Sequence, residues 1–252
     1  MAGVLGGIYG IWLREFKVFQ REKSRVISSI ISPLMWMVIV GAGVGSAVDI
    51  KSASYQAFIF PGIVIMLALF SSIFFGLYIV WDRKIDVLKE VLVSPVPRTA
   101  IFFGKVLGGC TDVLLQVMVF LVIGIVFAPT SVVTVLAAIV IAMIVAIGMV
   151  SLGLAIGSFF ESLEGFQVII SFLVFPLFFL SGALYPINPE GGLPAWLMTA
   201  AYLDPLTYAV DALRSIQLGQ PSAIPLPIDF AVIIGFAVTM VIVGTMAFKR
   251  MK

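Results

Sequence analysis

Val80–Arg98 reads VWDRKIDVLKEVLVSPVPR, with seven charged residues in nineteen, and on each side of it lies an apolar run long enough to cross a bilayer. Ile85, Leu88, Val91 and Leu92 recur at helical spacing, with Asp82, Lys84, Asp86, Lys89 and Glu90 around them. Pro95 and Pro97 end that helix and turn the chain into the next run. A merely solvated loop needs no apolar stripe. Two readings fit one: a helix seated in a groove on another protein, or a helix lying on the membrane surface.

The composition makes the flanking runs membrane spans. Of 252 residues, 62% are hydrophobic and 11% charged, with a mean hydropathy of +1.20. Soluble domains carry roughly 25% charged residues, so this chain lacks the polar surface to coat a globule in water. A bilayer core of ~30 Å takes about 20 helical residues. Windows of that size predict six spans at 27–48, 58–80, 100–127, 132–157, 167–184 and 229–248, with a tight hairpin at Pro129. The expected fold is all-α: one transmembrane domain over 1–252, a loop at 81–98 on the inner side and an outer segment at 185–228. Gly45–Ala47 resembles a signal cleavage site, but its apolar run starts some 26 residues in and is span-length, so it is read as the first span.

Lysine and arginine set the orientation. With the N-terminus inside, the inner side holds Arg14, Lys17, Arg21, Lys23 and Arg25, then Arg83, Lys84, Lys89, Arg98 and Lys105, then Lys249, Arg250 and Lys252. The outer side holds Lys51 and Arg214, a ratio of 13 to 2 that places both termini in the cytoplasm.

Ahead of the first span, Ile8, Ile11, Trp12, Phe16 and Phe19 form a helical stripe, with Arg14, Lys17, Gln20 and Arg21 largely off it. This predicts an amphipathic helix in the cytoplasmic interface, apolar face in the lipid, serving as an anchor or as a partner contact. Glycine pairs at 41/45, 104/108 and 153/157 let helix backbones approach closely, inside one subunit or at a dimer seam. Pro176 is expected to kink span five. In the outer segment, Pro194 suits the first turn of one short helix. Asp204 caps a second, Pro205 takes its first position and Gly219 its end. These are expected either as extracellular re-entrant helices or as a small cap.

No catalytic set emerges. There is no histidine, which removes His-ligated metal sites and His-based nucleophilic or general-base chemistry. The one cysteine, Cys110, lies in an apolar run and forms no intrachain disulfide. There is no G-x-x-x-x-G-K-[ST], so the chain does not hold ATP by a phosphate loop. Lys105, Asp112 and Gln116 share one face of span three: a relay, or a structural polar cluster. The other spans carry no deep charge, which counts against an ATP-independent carrier or channel. Glu161 and Glu164 sit in an exposed inner turn, a place for solvent or a partner rather than acid–base work. A membrane-embedded enzyme lacks its catalytic residues here.

Three stretches carry a family resemblance over essentially the whole chain: DRKIDVLKEVLVSPVPRTAIFFGKVLGG after span two, SGALYPI closing span five, and LPAWLMTAAYLDPLTYAVDALR beyond it. They are similar to the patterns D-R-E-x-G-T-L-E with L-L-V-S-P and G-K, and L-P-x-W, N-P-L and D-A-x-R, of the ABC-2 type transporter permeases: drug exporters of the daunorubicin-resistance kind, and polysaccharide and nodulation-factor exporters. The departures are Ile85-Asp86-Val87 for x-G-T, which alters the local bend, and Asp204 for the usual Asn. The resemblance implies the permease of an ATP-driven exporter in the cell membrane, paired with a second permease as a homodimer and with two separate ATPase subunits. Those subunits would bind ATP and Mg, leaving this chain with no cofactor, no metal and no nucleic-acid partner. It implies that the loop after span two docks on the ATPase, making Asp82, Arg83, Lys84, Leu88, Glu90 and Leu92 coupling residues, with Glu161 and Glu164 in a second contact. Substrate, a drug, lipid or glycan-lipid, would pass along spans two and five beside Phe70, Phe74, Phe75, Phe175, Phe178 and Phe179.

Overall fold

Hydroxyls and carboxylates set where several helices begin. Ser54, Ser131 and Ser162 accept from the backbone N–H of Ala57, Thr134 and Gly165 at 3.2, 3.1 and 3.0 Å. Each opens an apolar helix and satisfies a donor that hydrocarbon would leave bare. Asp204 does the same for Leu206 at 2.9 Å, Pro205 follows it, and Gly219, at φ 62°, closes that helix.

The computed structural model describes residues 2–45, 54–93, 96–128, 130–187, 193–219 and 222–251, the side chains of 2, 23–26, 89, 90 and 92 excepted. Pro129 and Pro95, given turn roles above, lie outside these residues, as do 46–48 at the end of the expected first span. Among the described residues every regular element is helical: α1 (Ala2–Arg21), α2 (Lys23–Gly45), α3 (Tyr55–Phe74), α4 (Leu77–Lys84), α5 (Val87–Val93), α6 (Arg98–Gly124), α7 (Val132–Phe159), α8 (Leu163–Leu180), α9 (Ala195–Leu203), α10 (Pro205–Leu218) and α11 (Leu226–Arg250).

Among the described residues six stretches are long and apolar enough to cross a membrane: Ile27–Gly45, Tyr55–Lys84, Arg98–Gly124, Val132–Phe159, Leu163–Leu180 and Leu226–Arg250. Their number matches the sequence reading, with differences at the ends. The second is longer, because α4 continues it through Lys84 after a break at Phe75–Gly76. The fifth begins four residues earlier, where Ser162 caps it, and ends at Leu180 before Gly182 turns the chain at φ 67°. Pro176 lies inside α8, which runs through it.

The core centres on α3, which packs against α2, α6, α7, α8 and α10. Ile59, Phe60, Ile63, Val64, Ala68 and Leu69 on it are fully buried. Backbones come very close where α3 breaks. A Cβ on Gly76 would stand 2.1 Å from the Gly153 carbonyl oxygen, and one on Gly157 would stand 2.5 Å from that of Gly76. Two of the glycines flagged by spacing, 153 and 157, thus seat the break of span two against α7. Gly104 and Gly108 receive α1, their Cβ positions falling 2.6 Å from Ile11 Cβ and 2.7 Å from Glu15 Cβ, and Gly41 and Gly45 face Gln56 and Tyr55 at the start of α3. The amphipathic N-terminal helix is present. Its stripe, expected to face lipid, is taken up in part by α6, and Phe19 is buried.

Val96 lies against Gly7, and Arg98 donates to the Lys249 carbonyl at 3.1 Å and to that of Met251. The N-terminal helix, the approach to α6 and the C-terminal residues therefore meet at one end of the bundle.

Candidate functional site

The charged stretch between the second and third spans divides in two. Residues 81–84 complete α4. Asp86 then takes φ 60°, the only non-glycine residue with positive φ among those described, and α5 follows. Asp86 stands at the position where the family pattern has glycine, and it takes the left-handed conformation that glycine adopts freely and that Asp tolerates better than most residues.

The apolar stripe of this stretch also divides. Leu88 is buried at 2% exposure and Val91 packs on the same core, so these two serve the chain's own interior. Ile85 and Val93 stay exposed, as do Lys84 and Asp86. The side chains of Glu90 and Leu92 lie outside the described residues. Arg83 donates to the carbonyls of Ser158 and Phe160, each at 2.8 Å, where α7 ends. Glu161 and Glu164 follow directly and are exposed. The two inner segments named from the sequence are thereby joined through one guanidinium.

Asp82 faces inward. Its carboxylate accepts from Arg14 at 2.6 and 3.1 Å and from Lys105 at 2.8 Å. Lys105, fully buried, also donates to Glu15 at 2.9 Å, and Arg14 reaches Glu15 at 3.0 Å. Two cations and two carboxylates close an electroneutral cluster that fixes the register of α1, α4 and α6. Its hydrogen bond to Asp82 holds the Arg14 guanidinium above its ordinary range. Trp12 Nε1 extends the same helix contact, donating to Thr111 at 3.0 Å.

Lys105 and Gln116, grouped by face in the sequence, have different partners. Gln116 Oε1 accepts from Ser71 of α3. Asp112 is buried on the same helix. Sequence reasoning passed over Glu15 and treated Arg14 only as an inner charge. Yet Glu15 continues the spacing of Ile8, Ile11, Trp12 and Phe19, and a carboxylate on an apolar stripe signals a buried cation opposite.

A cavity of about 450 Å³ opens between α2, α3, α6 and α8. Phe70, Phe74, Phe175 and Phe178 line it with Trp36, and Phe70 sits edge-on to Phe175 and Phe178 at 5.8 and 6.2 Å. Two of the six phenylalanines named from the sequence are elsewhere. Phe75, just past the end of α3, is buried at 3.0 Å from the Cβ position of Gly109, and Phe179 is 46% exposed. Phe74 also borders a second cavity of about 350 Å³ with Glu22, Leu77, Tyr78 and Trp81.

At the opposite end, Arg214 ties α10 to the spans. It donates to the carbonyls of Phe58, Gly182 and Ala183 at 3.2, 2.8 and 3.2 Å, with its guanidinium 3.9 Å from the Phe58 ring centroid. Burial pushes it down to about 10. Asp211 accepts from the N–H groups of Ala223 and Ile224, at 3.3 and 3.0 Å. The D-A-x-R stretch is thus a structural clasp holding α10 over the turn after α8. Asp204, buried at the start of that helix, is pushed up to about 7 by desolvation.

Comparison with known proteins agrees with this architecture. A family model described as ABC-2 type transporter matches residues 7–218. The inner membrane transport permease YadH of Escherichia coli (strain K12) is 27% identical over 241 residues, which cover 92% of this chain and 91% of that protein. Nodulation protein J of Rhizobium meliloti (strain 1021) is 25% identical over 215 residues, covering 84% of this chain and 81% of that one. With a match over most of its length and six span-length helices, the chain belongs to the ABC-2 type transporter family and is a multi-pass membrane transport permease.

Proposed function

We propose that the chain is the membrane subunit of an ATP-driven exporter. A separate ATPase would dock on the end of the bundle where α5 and both terminal segments meet, and that end would face the cytoplasm. Two copies of the permease and two ATPase subunits make the complex, with ATP and Mg held by the ATPase alone. The carrying observation is the Arg83 bridge from α4 to the carbonyls of Ser158 and Phe160. A solvated loop has no need of it. A surface that receives force does, because the bridge makes the connector after span two and the turn after span four a single body.

Exposed Lys84, Ile85, Asp86 and Val93, with Glu161 and Glu164, form the contact face. Asp82, Leu88 and Arg83 act from behind it. Asp82 ties α4 to α1 and α6 through Arg14 and Lys105, so a displacement of α5 carries all three helices. Immediately past the break at Phe75–Gly76 lie Phe74 and Phe70, walls of the larger cavity. This connects the nucleotide-driven stroke to a path for a hydrophobic or amphipathic substrate.

The test is a disulfide or short bifunctional crosslink from Ile85→Cys, in a Cys110→Ser background, in native membranes. The expected product contains a protein photolabelled by azido-ATP, and vanadate stops transport. If no ATP-labelled protein is captured and transport ignores vanadate, the exporter reading is wrong.

A further inference from the structure

The two cavities lie in series. The larger, of about 450 Å³, reaches along α3 through Met66, Leu67 and Phe70. The smaller, of about 350 Å³, lies beside α4 at Leu77, Tyr78 and Trp81. Among the described residues Phe74 alone borders both. Each volume is that of a small-molecule site, so one half-buried ring stands between two chambers that could each hold a guest.

The chain just past that ring is clamped. Phe75 is buried at 3.0 Å from the Cβ position of Gly109, and a Cβ on Gly76 would stand 2.1 Å from the Gly153 carbonyl oxygen. Backbone packed so closely does not shift at low cost. The Phe74 side chain is held far less. Its one ring contact among the described residues is with Phe70, stacked at 6.3 Å and 24°. Phe70 in turn lies edge-on to Phe175 and Phe178 of α8. A rotamer change at Phe74 moves no backbone, and cavity volume lies on both sides to receive the ring.

We propose that Phe74 is a gate between the two cavities. Stacked on Phe70 it closes the passage, and turned away from Phe70 it joins the chambers into one continuous path. The inference deepens the permease reading, because it places the closed point of the path at the last residue of α3. A guest entering beside Tyr78 and Trp81 reaches the larger cavity only past this ring. Those two residues and Leu77 belong to α4, so a displacement of α4 changes the space into which the ring turns.

The experiment uses the full chain in lipid nanodiscs, in a Cys110→Ser background, with one reporter thiol per cavity. Met66→Cys reports the larger and Leu77→Cys the smaller. The probe is a glucose-bearing methanethiosulfonate, neutral and insoluble in lipid, and the readout is the rate of thiol modification. With Phe74 in place, Leu77→Cys is expected to react faster than Met66→Cys. Phe74→Ala should speed Met66→Cys about tenfold, the factor in rate for losing the upper end of one aromatic pair, and leave Leu77→Cys unchanged. Phe74→Leu, which keeps an apolar side chain in place and controls for folding, should move Met66→Cys the same way by less. A native rate at Met66→Cys in both variants overturns the proposal. So does equal acceleration at both reporters, which is what a loosened fold gives. The reaction needs neither ATP nor a partner, so failure here leaves the exporter reading to stand or fall on its own crosslink.

Discussion

Lys105→Met tests the buried ion cluster most directly. In the native chain Arg14 and Lys105 balance Glu15 and Asp82, and the Lys105 Nζ lies 2.9 Å from one carboxylate and 2.8 Å from the other. Methionine keeps most of the aliphatic stem and removes the charge, leaving a net −1 on two carboxylates that are both 4% exposed. Truncating one partner of a buried ion pair costs about 3–5 kcal/mol, because the other charge stays behind unpaired. Arg14 still touches both carboxylates, which puts the expectation at the lower end, about 3 kcal/mol. For a chain of this length that is a fall in melting temperature of roughly 6–12 °C. Glu15→Gln added to Lys105→Met restores neutrality and is expected to return more than half of the loss, a coupling a double-mutant cycle reads directly. The assay is built into the protein. Cys110 is the only cysteine, is 4% exposed and lies on α6 with Lys105, so a thiol-reactive dye reports the opening of that helix. If Lys105→Met melts within about 1 °C of wild type, or the double variant melts below the single, the cluster does not hold α1 and α4 on α6.

Asp204→Asn is expected to keep the cap on Leu206 while removing a charge that burial disfavours. Burial pushes the folded carboxyl up to about 7 from its ordinary 3.8, so its stabilising, protonated form is complete below about pH 4 and is lost as pH rises toward 7. Wild type should therefore lose up to about 4 kcal/mol across that window, and the Asn variant should be flat there. Thermal melts at pH 4, 6 and 8 separate the two. Asp86→Gly should stabilise the α4–α5 bend by about 0.5–1 kcal/mol, since φ 60° carries no penalty for glycine. Equal melts would show that the Asp side chain compensates the strain. Gly76→Ala should lose most folded protein, because the added methyl meets the Gly153 carbonyl at 2.1 Å and backbone cannot yield as a side chain would. Recovery of a monodisperse protein at wild-type yield would refute that close approach. Arg83→Met is expected to leave the melting temperature within a few degrees but cut transport by at least tenfold, as its exposed flank needs the bridge only to transmit force. Wild-type transport would remove the bridge from the mechanism.

What was legible in the sequence follows from the range of the interactions involved. A run of about twenty apolar residues must be helical in hydrocarbon whatever surrounds it, so six spans were readable without knowing a single contact. The start of α10 was readable for a related reason: Asp204, Pro205 and Gly219 act on backbone within a turn of themselves. Periodicity, by contrast, says that a face is covered and not what covers it. Ile85, Leu88 and Val91 share a stripe, but Leu88 and Val91 enter this chain's own core while Ile85 stays outside. Lys105 had a visible face and invisible partners, since Glu15 and Asp82 lie 90 and 23 residues away. Of the six phenylalanines, Phe75 and Phe179 lie off the cavity, and for Phe75 the cause is local. Phe74 and Phe75 are adjacent, and only the break beginning there sends one to the cavity and the other to α6. Serine is the hardest residue to read in a span. Ser151 and Ser171 return their hydroxyls to the carbonyls of Ile147 and Gln167 one turn back, a use that any helix permits. Nothing in the local pattern separates them from Ser28, Ser29 and Ser32, which line the larger cavity only because α3 and α8 close it against α2.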